Sequence, residues 1–240
     1  MSIPSNRSDY PPLLGIIVAY RWEISPLLRQ QPGVQRSRTG EYYLKLPAGD
    51  AVLALSGAGT SNARRVAQRM LSQYKLSALV SAGFAGGLVE GLSAGKLLLA
   101  DAVIDEASGQ RYPCDFKYLR DIQAARGQLV SVQAVAGRVE QKAALHVRWQ
   151  AVSADMEAAA VAREAAAAEL PFAALKAITD GPTDILAIDF QRCLSANGGL
   201  SSGKIVIDGL RGIAQFRSLC MLAWNSRIAA NNLAAALSRW

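Results

Sequence analysis

The sequence predicts an α/β protein, a single domain of three layers (αβα) built around a central mixed sheet. Three observations predict it. Short apolar runs with strand character alternate along the chain with alanine-rich helical stretches. Some runs are apolar at consecutive positions, as in Leu14-Gly15-Ile16-Ile17-Val18, the pattern of a strand covered by helices on both faces. A chain of 240 residues, 51% apolar, can bury one sizeable core without demanding a second. No linker rich in Pro, Gly or Ser divides it and no internal repeat appears. Residues 13–240 therefore read as one domain, and residues 1–12, polar and proline-containing, as a flexible N-terminal segment.

In order, the apolar runs place strands over Leu14–Ala19, Tyr42–Lys45, Ala51–Leu55 and Ala78–Ala82, with helices over Ile24–Gln30 and Ser61–Gln73 between them. Glycines punctuate the joints: Gly57 and Gly59 before the second helix, and Gly83-Phe84-Ala85-Gly86-Gly87 after the fourth strand. Further strands are expected over Lys96–Ile104, Val130–Ala134, Ala151–Ser153 and Phe172–Thr179. Helices are expected over Lys117–Ala125, Gln141–Val147, Ala154–Glu169 and finally Ser218–Leu237. Leu194–Gly203 is the long polar loop and the candidate mobile segment.

Composition excludes several function classes. Lys and Arg number 26 against 19 Asp and Glu, a net charge of +7, yet the arginines are scattered and lack interleaved aromatics, so no nucleic-acid partner is expected. A mild positive field suits a small anionic or polar substrate instead. Cys114, Cys193 and Cys220 are odd in number and far apart, matching neither a disulfide framework nor a metal site. The single histidine, His146, cannot build a zinc site or a Ser-His-Asp triad alone, and reads as a helix-surface residue. No metal is expected. The start lacks a signal peptide and no apolar run reaches the roughly 20 residues of a membrane span, so the expectation is cytoplasmic, with surface association left open.

Four segments stand at predicted strand ends, where an open α/β sheet places its ligand: Ala19–Glu23, Ser56–Ser61, Ser81–Gly87, and Asp155-Met156-Glu157 paired with Ile178-Thr179-Asp180. Gly57 and Gly59 lead into a helix whose free N–H groups would face an anion or hydroxyls. A dinucleotide loop wants a third glycine where Asn62 stands and an acid after the next strand, which ends Val80-Ser81-Ala82 without one. Taken singly, Glu157 could serve the macrodipole of the helix it opens, and Asp180 could cap a turn before Gly181-Pro182.

Together and in this order the segments carry more. Met156-Glu157 before a small-residue helix, then Ala177-Ile178-Thr179-Asp180, resembles the nucleoside phosphorylase/nucleosidase family, its methylthioadenosine/S-adenosylhomocysteine nucleosidases above all. Gly83–Gly87, Ser56-Gly57-x-Gly59, and Gly15-Ile16-Ile17 with Glu23 resemble that family's glycine segments, first strand and first loop. The likeness covers roughly residues 14–184. It implies a nucleoside phosphorylase-like fold and cleavage of the N-glycosidic bond of a purine nucleoside, adenine in particular. Asp180 matches the residue that protonates purine N7, and Glu157 the carboxylate that grips the ribose hydroxyls. Met156 would pack on sugar or base, Ser56 and Gly57 would lie near ribose or phosphate, and Phe84 would form a ring wall. A proton-holding Asp180 requires a low-dielectric site.

Water or phosphate as nucleophile turns on Glu23, which matches a carboxylate that activates water; Arg21, Arg64 and Thr60 leave phosphate open as a co-substrate, and no other cofactor is expected. The loop departs from the nucleosidases, with Tyr20-Arg21-Trp22 in place of an acidic cluster. About 55 residues follow Asp184, and Gly203–Asp208 with the Met221–Leu237 helix resemble a subgroup, the hopanoid-associated phosphorylases. That likeness implies a large apolar 5′ substituent, served by Ile185, Leu186, Ile188, Phe190 and Leu200. Gln133–Val139 is the positional expectation for the purine edge. The family also implies a homo-oligomer. A non-catalytic nucleoside-binding protein on the same fold is the alternative, since fold does not fix function.

Overall fold

The structure, a computed structural model, describes residues 12–47, 49–187 and 212–239 together with Cys193, Lys204 and Ile207. The described chain runs β1 (Leu13–Val18), α1 (Arg21–Gln30), β2 (Gln35–Arg36), β3 (Tyr42–Leu46), β4 (Gly49–Leu55), α2 (Thr60–Gln73), β5 (Ala78–Gly87), β6 (Leu97–Asp105), β7 (Arg111–Pro113), β8 (Ala125–Ser131), α3 (Val139–Trp149), β9 (Ala151–Asp155), α4 (Ala158–Ala167), β10 (Phe172–Asp180) and α5 (Ile213–Ser238). The flexible segment expected over residues 1–12 and the loop expected over Leu194–Gly203 lie, but for Pro12, outside the described residues.

One mixed sheet joins the strands in the order β10-β6-β8-β9-β5-β1-β4-β3-β2, with β7 on β6. β1 pairs in parallel with β4 and β5, and β5 in parallel with β10. The β5–β9 and β6–β10 pairs are antiparallel. Because β5 meets both β9 and β10, the strands β5, β10, β6, β8 and β9 close into a ring. Successive side chains on a strand point to opposite faces, which explains the all-apolar run of β1. Leu14, Ile16 and Val18 pack under α1 and α5 with Ile24, Leu27 and Leu233. Ile17 packs on the other side with Val66 and Met70 of α2 and Val161 of α4. The three expected layers are present.

Tertiary pairing shifted several elements. Lys117–Ala125 is not a helix: Leu119 N–H donates to Phe116 O and Ile122 N–H to Leu119 O, two tight turns around one buried leucine. One buried residue gives no apolar stripe, and packing of such a stripe is what holds a short helix. β8 begins at Ala125 and ends at Ser131, several residues before the expected Val130–Ala134, because its register is dictated by β6, from Leu98↔Ala125 to Asp105↔Ser131. β9 continues through Asp155, paired to Ser131, so α4 begins at Ala158 rather than Ala154. Gly83–Gly87 is no loop, since β5 runs through it.

Candidate active site

A cavity of about 310 Å³ opens at the C-terminal ends of β1, β5, β9 and β10. Glu23, Phe84, Met156, Glu157 and Asp180 all line it, so four separated segments supply one site. Two glycines of β5 make the room. A Cβ on Gly83 would stand 2.7 Å from Glu23 Oε2, and one on Gly86 would stand 3.2 Å from Asp180 Oδ2. The glycine segment thus acts as a flat floor that lets two carboxyls approach the sheet.

Glu23 projects from the first turn of α1 and is 5% exposed. Its Oε2 is buried without a hydrogen-bond partner among the described residues. Burial pushes its pKa up to about 8, with the nearby Glu157 charge adding to the rise, while Lys176 and backbone hydrogen bonds at Tyr20 and Ala19 pull the other way. Glu157 is raised to about 7, by burial and then by Asp155. A folded-state pKa above the unfolded value means that the folded protein favours the proton. The stability so contributed is fully present below about pH 4.5 and is lost as pH rises to about 7–8. The melting temperature of the ligand-free protein is expected to fall between pH 5 and pH 8, as differential scanning calorimetry would show. A flat profile across that window would count against buried, proton-holding acids.

Glu157 stands at the N-cap of α4, but its side chain does not cap the helix. That work falls to two neighbours: Ala158 N–H donates to Asp155 Oδ2 at 2.9 Å and Ala159 N–H to Ser131 Oγ at 2.9 Å. Ser131 Oγ in turn donates to Asp155 Oδ1 at 2.5 Å. Glu157 is left to face the cavity, its Oε1 accepting the Gly59 N–H at 2.7 Å. The N–H expected to receive an external anion at the start of α2 is therefore engaged by the protein's own carboxylate. Lys176, 1% exposed, balances this acidic group: Nζ lies 2.8 Å from Asp155 Oδ2 and donates to Ser81 Oγ at 3.0 Å. Burial alone would lower the Lys176 pKa, but Asp155, Glu157 and Glu23 together hold it above its ordinary value.

Asp180 ends β10 at an irregularity in the pairing with β5, between Ile178 and Asp180. Successive residues of a strand normally face opposite ways, yet Thr179 and Asp180 both line the cavity, an arrangement that a bulge permits. Thr179 Oγ1 donates to Asp180 Oδ1 at 2.8 Å, and Lys142 Nζ lies 2.6 Å from Oδ2. Burial raises the Asp180 pKa, and Lys142 and the Thr179 hydrogen bond oppose the rise without cancelling it.

Three expected site residues stand elsewhere. Ser56 is buried, but its hydroxyl donates to Gly57 O at 2.7 Å, and neither residue lines the cavity. Gly57 instead makes the turn, with φ of 79° and its N–H donating to Ala19 O at 2.9 Å. Arg21 is exposed on the outer side of α1. Of the purine-edge stretch, Val135 and Ala136 reach the lining. The remaining wall is mostly apolar: Leu186, with Leu219, Leu222 and Ala223 from α5, and Ala19, Tyr20 and Trp22, with Ser226 of α5 among them. Ile185 is exposed, and Ile188, Phe190 and Leu200 lie outside the described residues, as does Gly203–Asp208 apart from Lys204 and Ile207. Sequence reading missed Lys176, Lys142 and the capping role of Asp155. A lysine inside the wholly buried strand Phe172–Asp180 is a legible signal; Lys142, on a helix with polar neighbours, is not.

Among the described residues no group of His, Cys, Asp and Glu is arranged to hold a metal, and no helix is long and apolar enough to cross a membrane. The family model described as Phosphorylase superfamily matches residues 13–198. The chain is 26% identical over 222 residues to 5'-methylthioadenosine/S-adenosylhomocysteine nucleosidase of Staphylococcus haemolyticus, covering 81% of this chain and 97% of the relative. It is 27% identical over 210 residues to the Listeria monocytogenes protein of the same name, covering 74% and 90%. The S. pneumoniae nucleosidase of that name, solved with the transition-state inhibitor MT-ImmA, superposes with a TM-score of 0.71 at 16% identity, over 95% of this chain and 99% of that one.

Proposed function

This chain belongs to the phosphorylase superfamily, and from that premise we propose that it hydrolyses the N-glycosidic bond of an adenine nucleoside bearing an apolar 5′ substituent. The observation that carries the reading is the buried, unpartnered Oε2 of Glu23 in the same cavity as Asp180. As the C1′–N9 bond breaks, Asp180 gives its proton to purine N7 and the departing base leaves neutral. Water attacks C1′, forms the new C–O bond and yields its proton to Glu23. Glu157 accepts from the ribose hydroxyls and favours the cationic sugar of the transition state. Met156 and Phe84 supply apolar contact to sugar and base. A proton returns from Glu23 to Asp180 through solvent between turnovers, so the cycle closes without a cofactor.

Phosphate fits this cavity poorly. The cation among its described lining residues is Lys142, and its ammonium is held by Asp180 and by the carbonyls of Gly181 and Asp184. Arg21 is exposed and does not line the cavity, and the Gly59 N–H is already engaged. The apolar 5′ group is supported by the wall that α5 adds through Leu219, Leu222 and Ala223. A binding protein would have no use for an acid at the purine and a second acid in the same cavity whose Oε2 has no partner among the described residues. Exposed Ile213, Phe216 and Trp224 on α5 support self-association as part of the same reading.

Adenine release from 5′-methylthioadenosine is expected to proceed at the same rate in phosphate-free buffer and with phosphate added, and the sugar product to be free 5-methylthioribose. Lengthening the 5′-thioalkyl chain is expected to hold or improve kcat/KM. A strict requirement for phosphate, with 5-methylthioribose 1-phosphate as product, would overturn the assignment of Glu23.

A further inference from the structure

We propose that Lys142 is a positioning residue for this reaction, fixing the carboxyl of Asp180 and setting its strength as an acid towards the leaving base. The inference rests on the reading of Asp180 given above. Lys142 is 1% exposed and comes from α3, an element with no other tie to the acid. Its ammonium has three donors, and the structure uses all three: Gly181 O at 2.7 Å, Asp184 O at 2.9 Å and Asp180 Oδ2 at 2.6 Å. Two of those acceptors are carbonyls of the turn that follows β10, a turn also closed by Gly181 N–H donating to Asp184 Oδ2 at 2.8 Å. Lys142 thus fastens the acid and the turn beside it to α3.

A buried ammonium costs several kcal/mol to desolvate, so its placement against the acid rather than in solvent calls for an explanation. Stability supplies part of one, since the two turn carbonyls gain a donor. The chemistry supplies the rest. When Asp180 passes its proton to N7, a carboxylate is created in a buried site, and the fixed ammonium at Oδ2 meets that new charge without rearrangement. The other charged groups around the cavity do not share this place: Asp184 lies on the turn, Lys176 is engaged by Asp155, and Glu23, Glu157 and Asp155 are acids. Removing the Lys142 charge leaves the Thr179 hydrogen bond alone against burial, so Asp180 holds its proton more tightly and releases it less readily.

The test compares two leaving groups on the whole protein: adenine, from 5′-methylthioadenosine, and nitrophenolate, from 4-nitrophenyl β-D-ribofuranoside, which departs as a stable anion and needs no proton. A basic limb in kcat/KM seen with the first substrate and missing with the second belongs to Asp180. Lys142→Gln is expected to lower adenine release about 10-fold to 100-fold, to lower nitrophenolate release far less, and to move that basic limb to higher pH. Lys142→Arg, which keeps the charge, is expected to leave the limb in place and to lower the adenine-to-nitrophenolate ratio about fivefold, within the range of misplaced acid groups. If Lys142→Gln does not fold, the ratio in Lys142→Arg decides, and an unchanged ratio overturns the proposal. Equal losses with both substrates and an unmoved limb in Lys142→Gln would make Lys142 a structural residue only. Asp180→Asn separates the two readings: retained adenine release there removes the acid itself, whereas loss there with no leaving-group effect at Lys142 removes only this inference.

Discussion

Asp180→Asn is expected to slow adenine release by about 10²-fold to 10⁴-fold while the Kd for a nucleoside analogue stays within a few fold. The amide has the shape of the carboxyl and can still donate a hydrogen bond to purine N7, so the ground-state contact survives. It has no proton to transfer, and the base must leave as an anion. The substitution also changes the partner of Lys142, whose ammonium lies 2.6 Å from Oδ2. A protonated Asp180 and an asparagine are both neutral, so the ammonium loses no counterion, and the carbonyls of Gly181 and Asp184 still accept from it. The rate is therefore read alongside the melting temperature and analogue binding by calorimetry. A variant that binds as the parent does and turns over at the parental rate would show that the proton comes from elsewhere.

Glu23→Gln is expected to change activity and stability in opposite directions. Without a carboxylate to take the proton of water, turnover is expected to fall by about 10²-fold to 10³-fold, the range for loss of a general base. The folded protein, however, is relieved of an acid that resists ionisation: Glu23 is 5% exposed, its Oε2 has no partner among the described residues, and burial holds its pKa at about 8. At pH 8 the parent must ionise this group or carry its proton against the solvent, and the amide does neither. The gain expected is about 4 kcal/mol, the free energy of the roughly three pKa units between the ordinary value of 4.5 and about 8, which in a chain of this size is roughly 8–16 °C in melting temperature. Below pH 5 the two proteins are expected to melt together. Thermal scans at pH 5 and pH 8 with parallel turnover assays test both halves. A variant destabilised at pH 8 would mean that Glu23 is a structural anchor and not a poised base.

Both substitutions touch residues that the sequence singled out, and the reason for that legibility is local. Glu23, Glu157 and Asp180 each follow a strand-forming run, and acids at strand ends stand where an α/β sheet gathers its ligand. Met156 and Phe84 travelled with them. Ser56, Gly57 and Arg21 stood in equally suggestive places, yet the Ser56 hydroxyl turned to the Gly57 carbonyl and Arg21 turned to solvent. A rotamer and a helix rotation decide such matters, and neither is written in residue spacing.

The sequence by itself determined the class of fold, the αβα layering and the set of acids. Apolar periodicity specifies which residues must be buried, and the acids are too costly to bury without a purpose or a partner. Only the tertiary structure decided how each acid is held. Lys142 from α3 and Lys176 from β10 reach their partners across 38 and 21 positions of chain (180 − 142 and 176 − 155). Gly83 and Gly86 became a floor rather than a loop because β5 pairs on through Gly87. The Gly59 N–H, which promised a seat for phosphate, was taken by Glu157. Each of these is a contact between segments distant in sequence, fixed by the register of the sheet, and register depends on the whole set of strands at once.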